Sequence, residues 1–137
     1  WPEATLACSA ETARRAADPR LNLSVYIGDP VAAPAATRIQ GDEEPFSAAW
    51  LDWRGVEVPG HEPGEMVYIL GDQAAFTGDV VFAGSIGRSD FPGGDGELLV
   101  RGARLLLESL PSDMPLYPGH GPSTTVRREL ASNPFLM

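Results

Sequence analysis

A chain of 137 residues, 43% hydrophobic and 8% aromatic, can bury a core as one domain and is too apolar to be disordered. Ten Lys and Arg against 19 Asp and Glu give a net charge of −9, which repels phosphate backbones, so no nucleic-acid partner is expected. One cysteine makes no internal disulfide, no run approaches the ~18 apolar residues of a membrane span, and no signal-peptide pattern opens the chain, so the expected setting is cytoplasmic with no membrane partner.

The opening "WPEATLAC" already reads as a turn entering a strand, and a start at Trp1 suggests a portion of a longer chain. Thr5 to Cys8 is a short apolar run, taken as a strand, with Cys8 a small buried residue rather than a nucleophile. Ser9 is a good N-cap for a helix over "AETARRAA", which stops before Asp18-Pro19. Pro19 to Pro45 is rich in Pro, Asp and Ala and too long for a simple connection, so it reads as a binding lid or mobile segment, with "NLSVYI" as an ordered piece inside it.

Strand signals then crowd together. "AAWLDW" alternates, Arg54-Gly55 resembles a turn, and "VEV" runs into Pro59-Gly60-His61. "MVYIL" is a continuous apolar strand, Gly71-Asp72 a hairpin turn, and "AAF" leads to Thr77-Gly78-Asp79, with "VVF" directly after. Trp50 and Trp53 read as core or lid-facing, and Tyr68 as core. A glycine-dense loop, "AGSIGRSDFPGGDG", spans Ala83 to Gly96 and lacks the Gly-Lys-Ser/Thr ending of a phosphate loop. In it Arg88 reads as one half of a structural ion pair rather than a substrate contact. Asp95 caps a helix from about Glu97 to Ser109, with Leu99, Ala103, Leu106 and Leu110 along one face. "PLY" is the last strand, ending at Pro118-Gly119-His120, and "TTVRRELA" the last helix. Strands alternating with helices indicate a layered α/β fold.

The chain's two histidines, His61 and His120, both follow Pro-Gly at the end of a strand-like run, and Asp79 follows Thr-Gly at the end of another. Strand ends are where layered folds gather side chains into a site, and two imidazoles with a carboxylate suit Zn²⁺ or Fe²⁺. Each of the three also has an ordinary reading as a hydrogen-bonded turn residue, and the pattern alone does not decide between the two.

"VPGHEPGEMVYIL", "FTGDVVFAGSIGRSDFPGGDGELL", "LYPGHGPSTTVRREL" and "NPFL" together resemble the metallo-β-lactamase superfamily, most of all its small glyoxalase-II-like hydrolases. "SAETARRAADPRLNLS" is similar to the segment that follows the family's first metal motif. The resemblance implies an αββα sandwich over residues 1–137, incomplete at its N-terminal side. It implies His61 as the histidine completing a first metal site, Asp79 as the bridging and catalytic carboxylate, and His120 as the last ligand of a second metal. Two zinc ions, with iron or manganese as alternatives, would then serve hydrolysis of a small-molecule thioester or related ester. The family's His-x-His-x-Asp-His motif is absent from this sequence, so the chain alone is expected to be inactive and to associate with a missing N-terminal segment or with a second copy. Glu62 and Glu65 stand where the family usually has Thr and Ser, and Val80 where it often has Thr. Two other readings are a mononuclear iron persulfide dioxygenase and a non-catalytic module acting through a partner surface.

Overall fold

A computed structural model describes residues 4–137, so the turn expected at Trp1 and Pro2 lies outside the described residues. The chain divides into two compact units, one ending at Gly41 and one beginning at Asp42.

In the first unit β1 (Ala7–Cys8) pairs in parallel with β2 (Arg38–Ile39). Between them α1 (Ala10–Ala17) starts where the Ser9 hydroxyl accepts the Thr12 N–H at 3.0 Å, as its sequence predicts. The stretch read as one lid is more ordered than expected. It holds a 3₁₀ turn at Ser24–Ile27 and strand β2, and the Asn22 side-chain amide ties the Ala16 and Val31 carbonyls. A two-residue strand is too short to carry a period, which is why the sequence did not show it. Cys8 is half-buried rather than fully buried.

The second unit is built on one six-stranded sheet in the order β10-β9-β6-β5-β4-β3. Its strands are β3 (Pro45–Ala48), β4 (Leu51–Glu57), β5 (Met66–Leu70), β6 (Ala74–Gly78), β9 (Pro115–Pro118) and β10 (Thr124–Thr125). A small hairpin, β7 (Val81–Phe82) with β8 (Ser85–Ile86), follows β6. Arg54-Gly55 is no turn: it lies inside β4, paired with Ile69 and Tyr68 of β5. The turn falls instead within "AAWLDW", at Ala49 and Trp50, whose φ angles are 53° and 62°. Non-glycine residues with left-handed φ are rare, so no residue preference marked this turn in the sequence. Trp50 at its tip is fully exposed and is no core residue.

Alternation along the strands gives the sheet two distinct faces. One carries Val67, Ile69, Ala75 and Leu116 and is covered by α2 (Gly96–Ser109) and α3 (Val126–Ser132). Leu99, Ala103, Leu106 and Leu107 of α2 and Val126 of α3 are buried there, worth about 2 kcal/mol for each leucine removed from water. The other face carries Phe46, Trp53, Tyr68, Phe76 and Tyr117, whose rings touch in series with centroids 5.4–6.4 Å apart. Tyr68 and Trp53 are half-buried in that series. Helix α2 begins where predicted: the Asp95 carboxylate accepts the Leu98 N–H at 2.9 Å, and the Asp95 N–H donates to the Gly60 carbonyl at 2.8 Å. That second bond fixes the turn preceding His61 against the helix. Among the described residues no helix is long and apolar enough to cross a membrane.

Candidate metal centre

Strand directions bring the three singled-out residues together. β4 and β6 are both antiparallel to β5, so they run the same way, and β6 is parallel to β9. The C-terminal ends of β4, β6 and β9 therefore share one edge of the sheet. His61 lies in the loop after β4, Asp79 directly after β6, and His120 two residues after β9. Loops at one edge of a sheet are the usual place for a site. A bond from the Gly119 N–H to the Gly78 carbonyl, 2.8 Å, ties the second and third turns together.

The Asp79 carboxylate has an imidazole at each oxygen. His61 Nε2 lies 3.3 Å from Oδ2, and His120 Nε2 lies 3.6 Å from Oδ1. The Nδ1 of His61 is 2.7 Å from the Arg88 carbonyl. A carbonyl only accepts, so Nδ1 carries a proton and Nε2 is the nitrogen turned toward Asp79. His61 is largely enclosed, its ring edge-on to Phe91 at 5.8 Å. His120 is mostly exposed and touches the Phe82 ring at 5.9 Å. These residues, with Gly87 and Arg88, line an open cavity of about 390 Å³.

Two glycines make the close packing possible. A Cβ at Gly87 would fall 2.0 Å from the Asp79 carbonyl oxygen, and one at Gly119 would fall 2.7 Å from Asp79 Oδ1. Arg88 is paired with Asp90 through two bonds of 2.6 Å, and its guanidinium lies 4.4 Å above the Phe91 ring. The pair is exposed and sits beside the cavity.

Sequence reasoning noted Glu65 only as a departure and did not see its placement. Its Oε1 accepts the Asp79 N–H at 2.7 Å, while Oε2 is buried with no hydrogen-bond partner among the described residues. Burial pushes the Glu65 carboxyl up to about 7, and the Asp79 N–H pulls the other way.

The donor set fits divalent cations. A tetrahedral ion with bonds of about 2.0–2.1 Å spaces neighbouring ligands about 3.3–3.4 Å apart, and the two His–Asp separations are 3.3 and 3.6 Å. An unpartnered buried carboxylate oxygen behind Asp79 also suits a nearby positive charge. Among the described residues no three His, Cys, Asp or Glu side chains surround one cation position. What the structure shows is one imidazole near each oxygen of Asp79.

In sequence and in fold the chain is similar to known proteins. The sequence model of the metallo-beta-lactamase superfamily matches residues 3–120. The hydroxyacylglutathione hydrolase GloC of Haemophilus influenzae is 48% identical over 82 residues, 59% of this chain and 39% of that protein. The crystal structure of the BLEG-1 B3 metallo-beta-lactamase superposes with a TM-score of 0.89 at 32% identity, covering 96% of this chain and 65% of that one. The crystal structure of TTHA1623 in a di-iron-bound form superposes with a TM-score of 0.81 at 30% identity, with the same coverage of 96% and 65%. The chain spans about half, or less, of the length of the curated relatives it matches. By sequence and by fold alike, this chain belongs to the metallo-beta-lactamase superfamily.

Proposed function

We propose that the chain contributes His61, Asp79 and His120 to a dinuclear metal centre of a glyoxalase-II-like hydrolase acting on a small-molecule thioester. The observation that carries this reading is the Asp79 carboxylate with one imidazole Nε2 at each oxygen. A carboxylate so placed could serve two cations at once, and their remaining coordination positions would need donors other than these three side chains. The relative GloC, by its name, hydrolyses hydroxyacylglutathiones, which are thioesters. Zinc and iron both suit the N/O donor set, and TTHA1623 was crystallised with two irons.

The chemistry that two divalent cations supply is Lewis acidity and a water acidic enough, with a pKa near about 7, to ionise in neutral solution. This chain's own residues prepare the place for it. The Arg88 carbonyl accepts the Nδ1–H of His61 and so leaves Nε2 as the nitrogen turned toward Asp79. Asp79 keeps both oxygens available because its backbone, not its side chain, makes the bond to Glu65. Phe82 and Phe91 flank the two imidazoles and give the cavity apolar walls against which an acyl group can lie. The single half-buried cysteine fits a reducing, cytoplasmic setting.

The test is elemental analysis of the full protein together with hydrolysis of S-lactoylglutathione and simpler thioesters. Two metals per chain and turnover lost in His120→Ala are the expected results. Bound metal with no hydrolysis of any thioester or ester would overturn the reading, and oxygen uptake on glutathione persulfide with one iron would replace it with the dioxygenase.

A further inference from the structure

Glu65 stands just before β5, where its backbone carbonyl accepts the Val58 N–H at 3.0 Å. From that anchored position its side chain crosses to the turn that ends β6. There Oε1 accepts the Asp79 N–H at 2.7 Å. Gly78, with a φ of 50°, folds the chain closely over this oxygen, and a Cβ on Gly78 would lie 3.0 Å from it. The second oxygen, Oε2, is buried and has no partner among the described residues.

Satisfying one turn N–H does not call for a charged side chain, since a hydroxyl accepts as well. A carboxylate is the stronger acceptor and holds the N–H more tightly than a hydroxyl does, although taking it out of water is unfavourable. On the metal-centre reading, this grip falls on the backbone of the carboxylate that two cations would share. Asp79 must keep its side chain between two imidazoles while both of its oxygens stay free for cations. Its orientation then depends on the backbone, and Glu65 is what grips that backbone.

We propose that Glu65 is a positioning residue of the metal centre: its carboxylate holds the Asp79 N–H and so aims the Asp79 carboxylate between His61 and His120. The proposal rests on the metal-centre reading above. It assigns Glu65 no contact with substrate.

The test compares wild-type full protein with Glu65→Ala and Glu65→Gln. Two quantities are read: exchange of the Asp79 amide proton in metal-free protein by NMR, and zinc affinity of the folded fraction by competition with a chromophoric chelator. Glu65→Ala is expected to speed Asp79 exchange at least about tenfold and to weaken zinc binding by about 10–100-fold. Glu65→Gln still offers a carbonyl oxygen, so exchange should stay within about threefold of wild type and most of the zinc affinity should return. Unchanged Asp79 exchange in Glu65→Ala overturns the proposal. So does a lowered melting temperature in both variants with unaltered zinc affinity in their folded fractions, which is what a merely structural role gives. A wild-type protein that binds no zinc sinks the metal-centre reading instead, and the exchange data still report separately on whether Glu65 holds Asp79.

Discussion

The Nδ1 of His61 donates to the Arg88 carbonyl across 2.7 Å, and this one bond sets which nitrogen of the ring faces Asp79. The partner is backbone, so the tautomer does not depend on the Arg88 side chain. Nitrogen-15 NMR at pH 8 should therefore show the Nδ1–H tautomer of His61 in the wild type and equally in Arg88→Ala. Adding zinc should move the Nε2 resonance and leave the Nδ1 proton in place. An Nε2–H tautomer in metal-free protein would contradict this placement.

Gly87 packs against the Asp79 backbone with no room for a side chain. A methyl group there meets the Asp79 carbonyl oxygen at 2.0 Å and His61 Cβ at 3.2 Å. Neither atom is the end of a flexible side chain, so the backbone of the site itself has to shift. Gly87→Ala should cost about 3 kcal/mol or more in chemical denaturation, whereas Leu105→Ala, at an exposed position of α2, should stay within about 0.5 kcal/mol. Equal stabilities for the two variants would mean that the Asp79–Gly87 packing is looser than described.

Local signals were legible and long-range ones were not. Helix α2 could be read because its cap, Asp95, and its buried face, Leu99, Ala103 and Leu106, are all local to one segment. His61, Asp79 and His120 could be singled out because each follows a strand run and a glycine. Their meeting at one edge depends on β6 lying parallel to β9, a pairing across about forty residues that no local pattern encodes. Arg54-Gly55 misled because a dipeptide common in turns can equally sit in a strand whose glycine faces Tyr68. β10 was missed because two residues, Thr124 and Thr125, show no alternation, and Thr125 also caps α3. Glu65 stood out only as a departure from the family resemblance, since its target, Asp79, is 14 residues away.

The β3–β4 turn is a place where the sequence opposes its own conformation. Ala49 and Trp50 both take positive φ, which two-residue hairpin turns require and which Asn-Gly adopts readily. Trp50 is fully exposed, so its ring loses no packing when replaced. The double substitution Ala49→Asn, Trp50→Gly should raise stability by about 1–2 kcal/mol, read from the urea midpoint at unchanged slope. A loss of stability would show that Trp50 makes contacts that its exposure does not suggest.

Asp90 and Arg88 form a pH-dependent ion pair. The two Arg88 hydrogen bonds hold its carboxyl at about 2, below the usual 3.8. A depressed pKa in the folded state means that the pair's stabilisation is present above pH 3.8 and fades as the pH falls toward 2. The pair is exposed, so its contribution is small and weakens with salt. Carbon-13 titration of the Asp90 carboxyl should show a midpoint near 2 in wild type and a return toward 3.8 in Arg88→Ala. An unchanged midpoint in the variant would assign the shift to something other than Arg88.

The proposed sharing of Asp79 makes a quantitative demand on metal binding. His61 lies 3.3 Å from Oδ2 and His120 3.6 Å from Oδ1, so on the proposed reading each histidine would serve one cation position and Asp79 both. Removing a histidine should weaken one position and leave the other with its ligands. Asp79→Asn keeps the size of the side chain but removes the charge that both cations use, so both positions should weaken together. Cobalt(II) titrations of the full protein, followed by absorbance, can count the two events separately. In His61→Ala and in His120→Ala one binding step should weaken by about tenfold or more, and in Asp79→Asn both should. If Asp79→Asn affected a single step, as the histidine variants do, the carboxylate would serve only one cation and the two half-sites would not share it.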